Sequence, residues 1–298
     1  MPEPLSIRTP EEIEAVAAAA EEQRLRRRYI VRSLLRSPTF MVGAAILLFW
    51  IVMALFSTVF TADPYAVDVS HTLAPPSVAH WFGTDATGRD VFARTLAGAR
   101  PVLIIAPLAT LLALIAGSLI GLVAGFYRGV VDEVLMRLVD VLLCLPVIVL
   151  ALFVLSVLHS KSSWIVILVI ATVFTPLVSR TVRSTVIGER EREYVMAARL
   201  RGERASFIMV GEVLPNVLPP IIVEATVRLG YAVFTSATLS FLGQGLQPPS
   251  PDWGLTISEN VSVLQVAWWT VIFPAVALAT LVVSVNLIAD GLRRVITR

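Results

Sequence analysis

Few residues of this chain carry groups that could do chemistry, and their spacing does not suit a catalytic site. The 298 residues include one cysteine, Cys144, and three histidines, His71, His80 and His159. These residues are too scattered to form a nucleophile with its base or a cluster of metal ligands. The phosphate-binding pattern GxxxxGK[ST] is missing. We therefore expect that the chain is not an enzyme by itself and binds no cofactor directly. Cys144 has apolar neighbours and is expected to be buried by packing.

Charged residues of the second half concentrate in one stretch, residues 189–216, between two apolar runs. Because lipid cannot satisfy these charges, the stretch is expected to lie at a membrane surface. Within it, the sequence predicts a short helix over Glu193–Leu200 that stops or turns at Gly202. Leu214-Pro215-Asn216 is expected to break the chain before it re-enters the bilayer, since proline disfavours helical geometry in the preceding residue. A solvated loop with a chance helix is the alternative interpretation.

The composition indicates that lipid is the main solvent of this chain. Hydrophobic residues make up 56% and charged residues 15%, against roughly 25% charged in soluble domains. Six apolar stretches are long enough to cross a bilayer. They are residues 40–60, 101–126, 141–158, 162–179, 219–241 and 268–289. The third is expected to continue a helix that contains Arg137 and Asp140, interrupted only by Pro146. The sequence thus predicts an all-α membrane protein with six transmembrane helices.

The distribution of arginine predicts the orientation. Six spans place both termini on one side, and 19 arginines lie on that side. The other side holds only Arg89, Arg94, Arg100 and Lys161. The positive-inside rule therefore predicts cytoplasmic termini and a cytoplasmic loop at 180–217, in a multi-pass protein of the plasma or inner membrane.

These spans divide the chain into predicted segments. They are a cytoplasmic helix and basic juxtamembrane segment at 1–38, the first transmembrane helix at 39–61, an extracytoplasmic connection at 62–96, a transmembrane domain at 97–290 and a cytoplasmic tail at 291–298. The first segment contains a capping box at Thr9 and Glu12. Its arginines, at residues 24–36 beside a span, favour an anchor on anionic lipid over nucleic-acid binding.

Five motifs resemble one protein family, in matching order and spacing. Tyr194-Val-Met-Ala-Ala-Arg199, then Gly202, then Leu214-Pro215-Asn216 resembles the EAA loop of permease subunits of binding-protein-dependent ABC importers. Gly83-Thr-Asp-Ala-Thr-Gly-Arg-Asp90 is similar to the extracytoplasmic motif of the C-type permease in dipeptide, oligopeptide and nickel importers. The remaining motifs of that subfamily are Asp132-Glu133-Val-Leu-Met-Arg137, Leu239-Ser-Phe-Leu-Gly-Gln-Gly245, and Gln247-Pro-Pro249 with Trp253-Gly254.

The resemblance implies the type I importer permease fold and an energy source outside the chain. The loop would form a coupling helix that docks on a separate ATP-hydrolysing subunit, whose closure switches the path between inward and outward access. The implied partners are a second, homologous permease, two ATP-binding subunits that hold ATP and Mg, an extracytoplasmic substrate-binding protein and the lipid bilayer, with no nucleic acid. The residues assigned to ATPase coupling are Glu193, Tyr194, Ala197, Ala198, Arg199, Gly202, Leu214, Pro215 and Asn216.

Residue types in the loop suit this role. Ala197 and Ala198 are small, so a partner surface can come close, and Gly202 permits a turn that a side chain would obstruct. Arg199, Arg201 and Arg204 can meet acidic groups at the rim of an interface.

The loop departs from the family pattern at two positions. The first glutamate of the EAA triplet is Met196 here, so no salt bridge is assigned to it. Glu212, two residues before the Leu-Pro-Asn motif, stands where this subfamily often has histidine.

Two further groups of residues each have two interpretations. Gly83, Asp85, Gly88, Arg89 and Asp90 are either part of an extracytoplasmic gate, on which a binding protein settles, or a plain turn in which an aspartate caps the next helix. We favour a structural hinge that serves gating without touching substrate.

Glu224 and Arg228 lie one turn apart inside a span, so they share a helix face and can pair. They either line a substrate path that tolerates a zwitterionic peptide or form a structural ion pair near the cytoplasmic end.

The function expected from the resemblance is import of peptides, as half of the translocation path. A nickel or haem importer permease of the same family is the alternative. An ion-coupled secondary transporter would require a relay of acidic residues or histidines at the midplane, and Glu224 is the only such residue in the spans. A membrane scaffold without transport is set aside only by the family motifs.

Overall fold

The structure, a computed structural model, describes residues 32–158 and 162–296. The predicted capping box at Thr9, the arginines at 24–28 and Lys161 lie outside these residues. Within the described ranges every regular element is a helix, apart from one β-bridge between Thr84 and Asp90. The prediction of an all-α protein is confirmed.

The helices are numbered here in chain order. They are α1 (Pro38–Phe60), α2 (Val91–Ala97), α3 (Ala99–Tyr127), α4 (Gly129–Leu143), α5 (Val147–Leu158), α6 (Ser163–Glu189), α7 (Glu193–Leu200), α8 (Ala205–Phe207), α9 (Leu214–Phe241), α10 (Trp253–Asn260) and α11 (Trp269–Ile296). A π-helical turn, Ile208–Val213, joins α8 to α9.

The helices supply five of the six predicted crossings as continuous stretches, and the sixth depends on a bent pair of helices. Among the described residues, five continuous stretches are long and apolar enough to cross a membrane: α1, α2 with α3, α6, α8 through α9, and α11. The bent pair of α4 and α5 passes the same test of length and composition only when its two helices are taken together, as a broken span or a re-entrant loop.

The third crossing is interrupted at Pro146, as the sequence predicts, but the interruption is a sharp bend between two separate helices. α4 and α5 meet at an angle of 87°. Pro146 causes the break, because it has no N–H to donate and disfavours helical geometry at Leu145. α5 by itself has 12 residues, about 18 Å of rise, which is less than the ~30 Å of a bilayer core. Cys144 lies at this bend and is exposed, so the expectation that it is buried is wrong.

The fourth helix runs further than predicted. α6 continues ten residues past Ser179 to Glu189, and this extension contacts α4. Arg183 pairs with Asp132 of α4 through two hydrogen bonds, of 2.5 and 2.6 Å. This ion pair joins the extension of α6 to α4.

A row of glycines brings α3 and α6 into close contact. Gly117, Gly121 and Gly125 lie on one face of α3, four residues apart. A Cβ at Gly121 would lie 2.6 Å from the carbonyl oxygen of Ser179, and a Cβ at Gly117 2.6 Å from Val178. Small residues at this spacing let two helix backbones approach without side chains between them, which is a common way of packing helices in membranes.

The first and last helices pack on each other and identify two ends of the bundle. The start of α1 contacts the end of α11, where a Cβ at Gly291 would lie 2.9 Å from Phe40. We call this the terminal end; it also holds α7. The opposite end holds the connections 61–90 and 242–268. There Trp253 of α10 is fully buried and its indole N–H donates to the carbonyl oxygen of Thr95 at 2.7 Å.

Candidate functional site

The short helix α7 lies outside the membrane spans and ends as predicted. Its last turn closes with two hydrogen bonds, from the N–H of Gly202 to the carbonyl of Arg199 (3.0 Å) and from the N–H of Glu203 to the carbonyl of Ala198 (3.2 Å). Gly202 has a φ of +77°, a left-handed conformation that glycine adopts without strain. The prediction of a helix over Glu193–Leu200 that stops at Gly202 is confirmed.

One face of α7 packs on its own chain. Val195 and Ala198 are fully buried in a cluster with the ends of α3 and α6. Burying Val195 stabilises this arrangement by roughly 1.5–3 kcal/mol. Ala197 is exposed, since successive helix residues are about 100° apart. The expectation that both alanines admit a partner is therefore wrong for Ala198, which packs inside its own chain.

The outer face of α7, which we define as Met196, Ala197 and Leu200, is open. Leu200 is 90% exposed and Met196 48% exposed. Met196, which replaces a glutamate of the family pattern, adds apolar surface here rather than charge. Glu193 at the start of the helix is also exposed and has a favourable position, because a carboxylate in the first turn complements the helix dipole.

Tyr194 links α7 to two membrane helices. Its hydroxyl donates to the carboxylate of Glu189 at the end of α6 (2.8 Å) and accepts from the amide of Asn216 in the first turn of α9 (3.1 Å). Burial raises the pKa of Tyr194 to about 12, and the hydrogen bond to Glu189 adds to the shift. The hydroxyl therefore stays protonated at physiological pH, and both hydrogen bonds persist.

Two arginines of the loop have partners in the chain and still face solvent. The guanidinium of Arg199 lies 5.3 Å from the centre of the Phe126 ring. Arg201 pairs with Glu203 at 2.8 Å and lies 3.6 Å from Glu212. Since both arginines are exposed, their charge stays available to acidic groups of a partner.

The predicted chain break at Leu214-Pro215-Asn216 is wrong. The π-helical turn before Leu214 continues into α9 without interruption. In that turn the N–H of Leu214 bonds to the carbonyl of Met209, five residues back. This wider spacing makes room for the ring of Pro215, which would clash with the preceding turn of a regular α-helix. Pro215 and Asn216 are exposed and Leu214 is half-buried.

At the opposite end, the motif at residues 83–90 makes buried ion pairs with α10. Arg89 lies 2.6 Å from Asp85 through its Nε and 2.6 Å from Glu259 through its Nη2. The side chain of Asp85 is fully buried. Burial by itself would lower the pKa of Arg89, but Asp85 and Glu259 more than offset it and hold this pKa above its usual value. The motif thus joins the two connections of this end.

Sequence reasoning missed two members of this cluster, Arg94 and Glu259. Arg94 is fully buried on α2, with its Nη2 2.9 Å from the carbonyl of Ser250 and 3.8 Å from Glu259. Its signal in the sequence was a single charge in an otherwise apolar helix, one turn after Asp90. Glu259 had no signal near the motif, because 170 residues separate it from Arg89. We call Asp85, Arg89, Arg94 and Glu259 the ion cluster.

Asp90 caps the helix that follows it, as the turn interpretation expects. Its carboxylate accepts from the N–H of Ala93 at 2.8 Å and lies 2.8 Å from the Nδ1 of His80. The two aspartates of the motif therefore act differently: Asp90 caps α2, whereas Asp85 belongs to the ion cluster.

Close backbone contacts explain the two glycines of the motif. A Cβ at Gly88 would lie 2.1 Å from the carbonyl oxygen of Asp68, and a Cβ at Gly83 2.6 Å from the indole nitrogen of Trp269. The motif is therefore a tightly packed turn held by ion pairs; a hinge role in gating stays a prediction.

Glu224 and Arg228 form the ion pair that their spacing allows. The Arg228 Nε lies 2.6 Å from the Glu224 Oε1, with 17% and 12% of the respective side chains exposed. The Arg228 guanidinium also lies 5.7 Å from the centre of the Tyr231 ring. A role of this pair in a substrate path stays a prediction.

Two family models match most of the chain. Residues 117–298 match the family described as binding-protein-dependent transport system inner membrane component. Residues 26–76 match the N-terminal transmembrane domain of oligopeptide transport permease C.

Relatives with curated names are similar along nearly the whole length. A dipeptide transport system permease protein of Alkalihalophilus pseudofirmus is 39% identical over 85% of this chain and 83% of that protein. A probable D,D-dipeptide transport system permease protein of Escherichia coli K12 is 34% identical over 86% of each chain.

A solved structure shares the fold. A chain of the MetNI methionine ABC transporter, in an inward-facing conformation, matches with a TM-score of 0.57 and 18% identity, over 69% of this chain and 97% of that chain. The predicted permease fold is confirmed. Together with the sequence matches, this likeness shows that the chain belongs to the family of binding-protein-dependent transport system inner membrane components.

Proposed function

We propose that this chain is the permease subunit of an ATP-driven importer and forms half of a translocation path for di- or oligopeptides. The names of the dipeptide permease relatives and the match to oligopeptide permease C support the peptide as cargo. The structural observation that carries the proposal is α7, a short helix outside the spans whose outer face is exposed and apolar while its inner face packs on α3 and α6.

In this proposal the outer face of α7 docks on an ATP-hydrolysing subunit. Leu200 and Met196 would lose their contact with water there, which favours association. Movement of α7 reaches the membrane through contacts already in place. Val195 carries it to the ends of α3 and α6, and the hydrogen bonds of Tyr194 carry it to Glu189 and Asn216. ATP and Mg would be held by two such subunits and not by this chain.

The terminal end faces the cytoplasm in this proposal. The excess of arginine at that end supports the assignment. The opposite end would then receive an extracytoplasmic binding protein, and a second, homologous permease would complete the path. The ion cluster would hold the two connections of that end as one body, so that they tilt together when the path opens.

The first prediction concerns assembly and energy source. The tagged chain, purified from its native membrane in mild detergent, should bring along two ATP-binding subunits and a second permease, identified by mass spectrometry. Reconstituted with its binding protein, the assembly should take up labelled peptide only when ATP is present, and collapse of ion gradients should leave the rate unchanged. Uptake driven by a proton or sodium gradient without ATP would refute the proposal.

A further inference from the structure

Two cavities meet at Arg100, at the opposite end. The outer cavity, of about 610 Å³, lies between the end of α1, the start of α3 and the connection that precedes α10. The inner cavity, of about 450 Å³, lies deeper, among α1, α3, α9 and α11. Arg100 and Ile104, one turn apart on α3, line both cavities. Each volume lies within the range of small-molecule sites.

The linings of the two cavities differ in chemistry. The outer cavity presents hydroxyl groups from Ser57, Thr58 and Tyr65, together with Gln247. In the inner cavity every lining side chain except Arg100 is apolar, with Pro107 and Val233 on facing helices. A molecule that passes from the outer to the inner cavity therefore leaves a mixed surface, with several hydroxyl-bearing side chains, for an apolar one at the guanidinium.

Arg100 differs from the other arginines at this end. Arg89 and Arg94 are buried, and each lies within ion-pair distance of Asp85 and Glu259. The side chain of Arg100 is exposed to its cavities, and no carboxylate of the described residues lies within ion-pair distance of it. A guanidinium at the edge of an apolar cavity, without a carboxylate beside it, attracts an incoming anion. Its planar arrangement of N–H donors matches the two oxygens of a carboxylate.

We infer that Arg100 is an anion subsite on the path and takes the terminal carboxylate of a peptide as it enters the inner cavity. Every free peptide carries this group whatever its sequence, so the subsite would serve peptides with different side chains. The hydroxyls of the outer cavity suit the backbone amides, and the apolar inner cavity suits side chains. The inference rests on the proposed function, because it assumes that a peptide is the cargo.

The experiment compares two peptides in the reconstituted assembly. The peptides share one sequence and end in a free carboxylate or in an amide, and each is supplied already bound to the binding protein at saturating concentration. Arg100→Gln should lower the uptake rate of the free acid about tenfold, as expected for a lost charge-assisted hydrogen bond. The rate for the amide should change less than about twofold, and Arg100→Lys should restore part of the loss. The matched control is Arg137→Gln, which removes the same charge from an exposed helix position.

Each alternative outcome has its own signature. An equal loss for both peptides would show that Arg100 only positions α3, and an unchanged rate would show that it binds nothing in transport; either result overturns the inference. An equal loss that varies with the fraction of anionic lipid in the vesicles would assign Arg100 to a lipid phosphate and would overturn it too. If the wild-type assembly moves neither peptide with ATP, the proposed function fails and the inference with it. Normal wild-type uptake with no acid–amide difference between variants overturns the inference alone.

Discussion

Arg89 keeps its charge in a buried position because two carboxylates face it. Removing an ion from water costs several kcal/mol, and the cost is offset only when the geometry of the pair is good and hydrogen bonds complete it. Asp85 and Glu259 meet this condition, each 2.6 Å from the guanidinium. Loss of one partner would leave Arg89 buried with a single counterion. The uncompensated charge should then lower the free energy of unfolding.

A double-mutant cycle measures this coupling. Glu259→Gln should lower the free energy of unfolding by about 1–3 kcal/mol, and the cycle with Arg89→Gln should give a coupling energy of the same order. Thermal unfolding of the purified assembly in detergent provides the readout. Glu133→Gln is the matched control: its pair with Arg137 is exposed, so the change should stay within about 0.5 kcal/mol. A coupling near zero would mean that the ion cluster does not join the two connections.

At the scale of the elements, α3 and α6 can touch closely because the contacting positions of α3 are glycines. The glycine row on α3 lets the backbone of α6 lie directly against it, with Ser179 opposite Gly121. In lipid there is no hydrophobic drive to hold two helices together, so close van der Waals contact has to supply the attraction. The ends of these two helices also pack against the inner face of α7. If α3 and α6 moved apart, the proposed coupling helix would be displaced.

Two identical substitutions at different glycines test the close contact. Gly121→Ala should destabilise the protein by about 1–3 kcal/mol, because the new Cβ would overlap the Ser179 carbonyl and the helices would have to separate. Gly188→Ala meets nothing within 4 Å and should be neutral or stabilising by up to about 1 kcal/mol, the helix propensity gain. Unfolding in detergent distinguishes the two variants. Equal stabilities would show that the helices do not depend on this contact.

At the scale of the whole molecule, α7 connects the outside of the bundle to its core. Its inner face belongs to the same apolar cluster as the ends of α3 and α6, and Tyr194 hydrogen-bonds to α6 and α9 at once. A force applied to the outer face would therefore move several membrane helices together. In the isolated chain nothing covers Leu200, which is 90% exposed, and this surface is where the proposed motor would attach.

Substitutions at Gly202 test the attachment. A Cβ there would meet nothing within 4 Å of its own chain, so a change affects the left-handed turn and any docked partner, not the core. Gly202→Leu should abolish uptake while the protein remains inserted in the membrane, since it adds bulk and about 1–2 kcal/mol of backbone strain. Gly202→Asn, which adopts the left-handed conformation more easily, should retain more transport. Quantitative blotting of membranes checks insertion. Normal transport by the leucine variant at normal membrane levels would contradict the coupling role.

The predictions that succeeded rest on neighbours along the chain. Uninterrupted apolar length predicts a span, and a glycine after a short helical pattern predicts its end, so α1, α11 and α7 were found from local residues. Two of the predictions that failed or fell short concern proline. Pro146 was expected only to interrupt a helix, and it ends one helix before a bend of 87°. Pro215 was expected to break the chain, and it lies inside a continuous helix. The difference lies in the preceding turn, where a π-helical turn accommodates Pro215, and the residue types do not reveal such a turn.

The sequence by itself determined the class of the protein, the apolar stretches of its membrane helices and the position of the short helix α7, because hydrophobicity and backbone preference act within a few residues of the chain. Only the tertiary structure decided which charged residues far apart in the chain form ion pairs and which side chains face a cavity. Arg89 meets Glu259 across 170 residues, while Arg100, on the neighbouring helix, is left at the junction of two cavities. Ion pairs between distant residues depend on how the helices pack, and no local pattern encodes that packing.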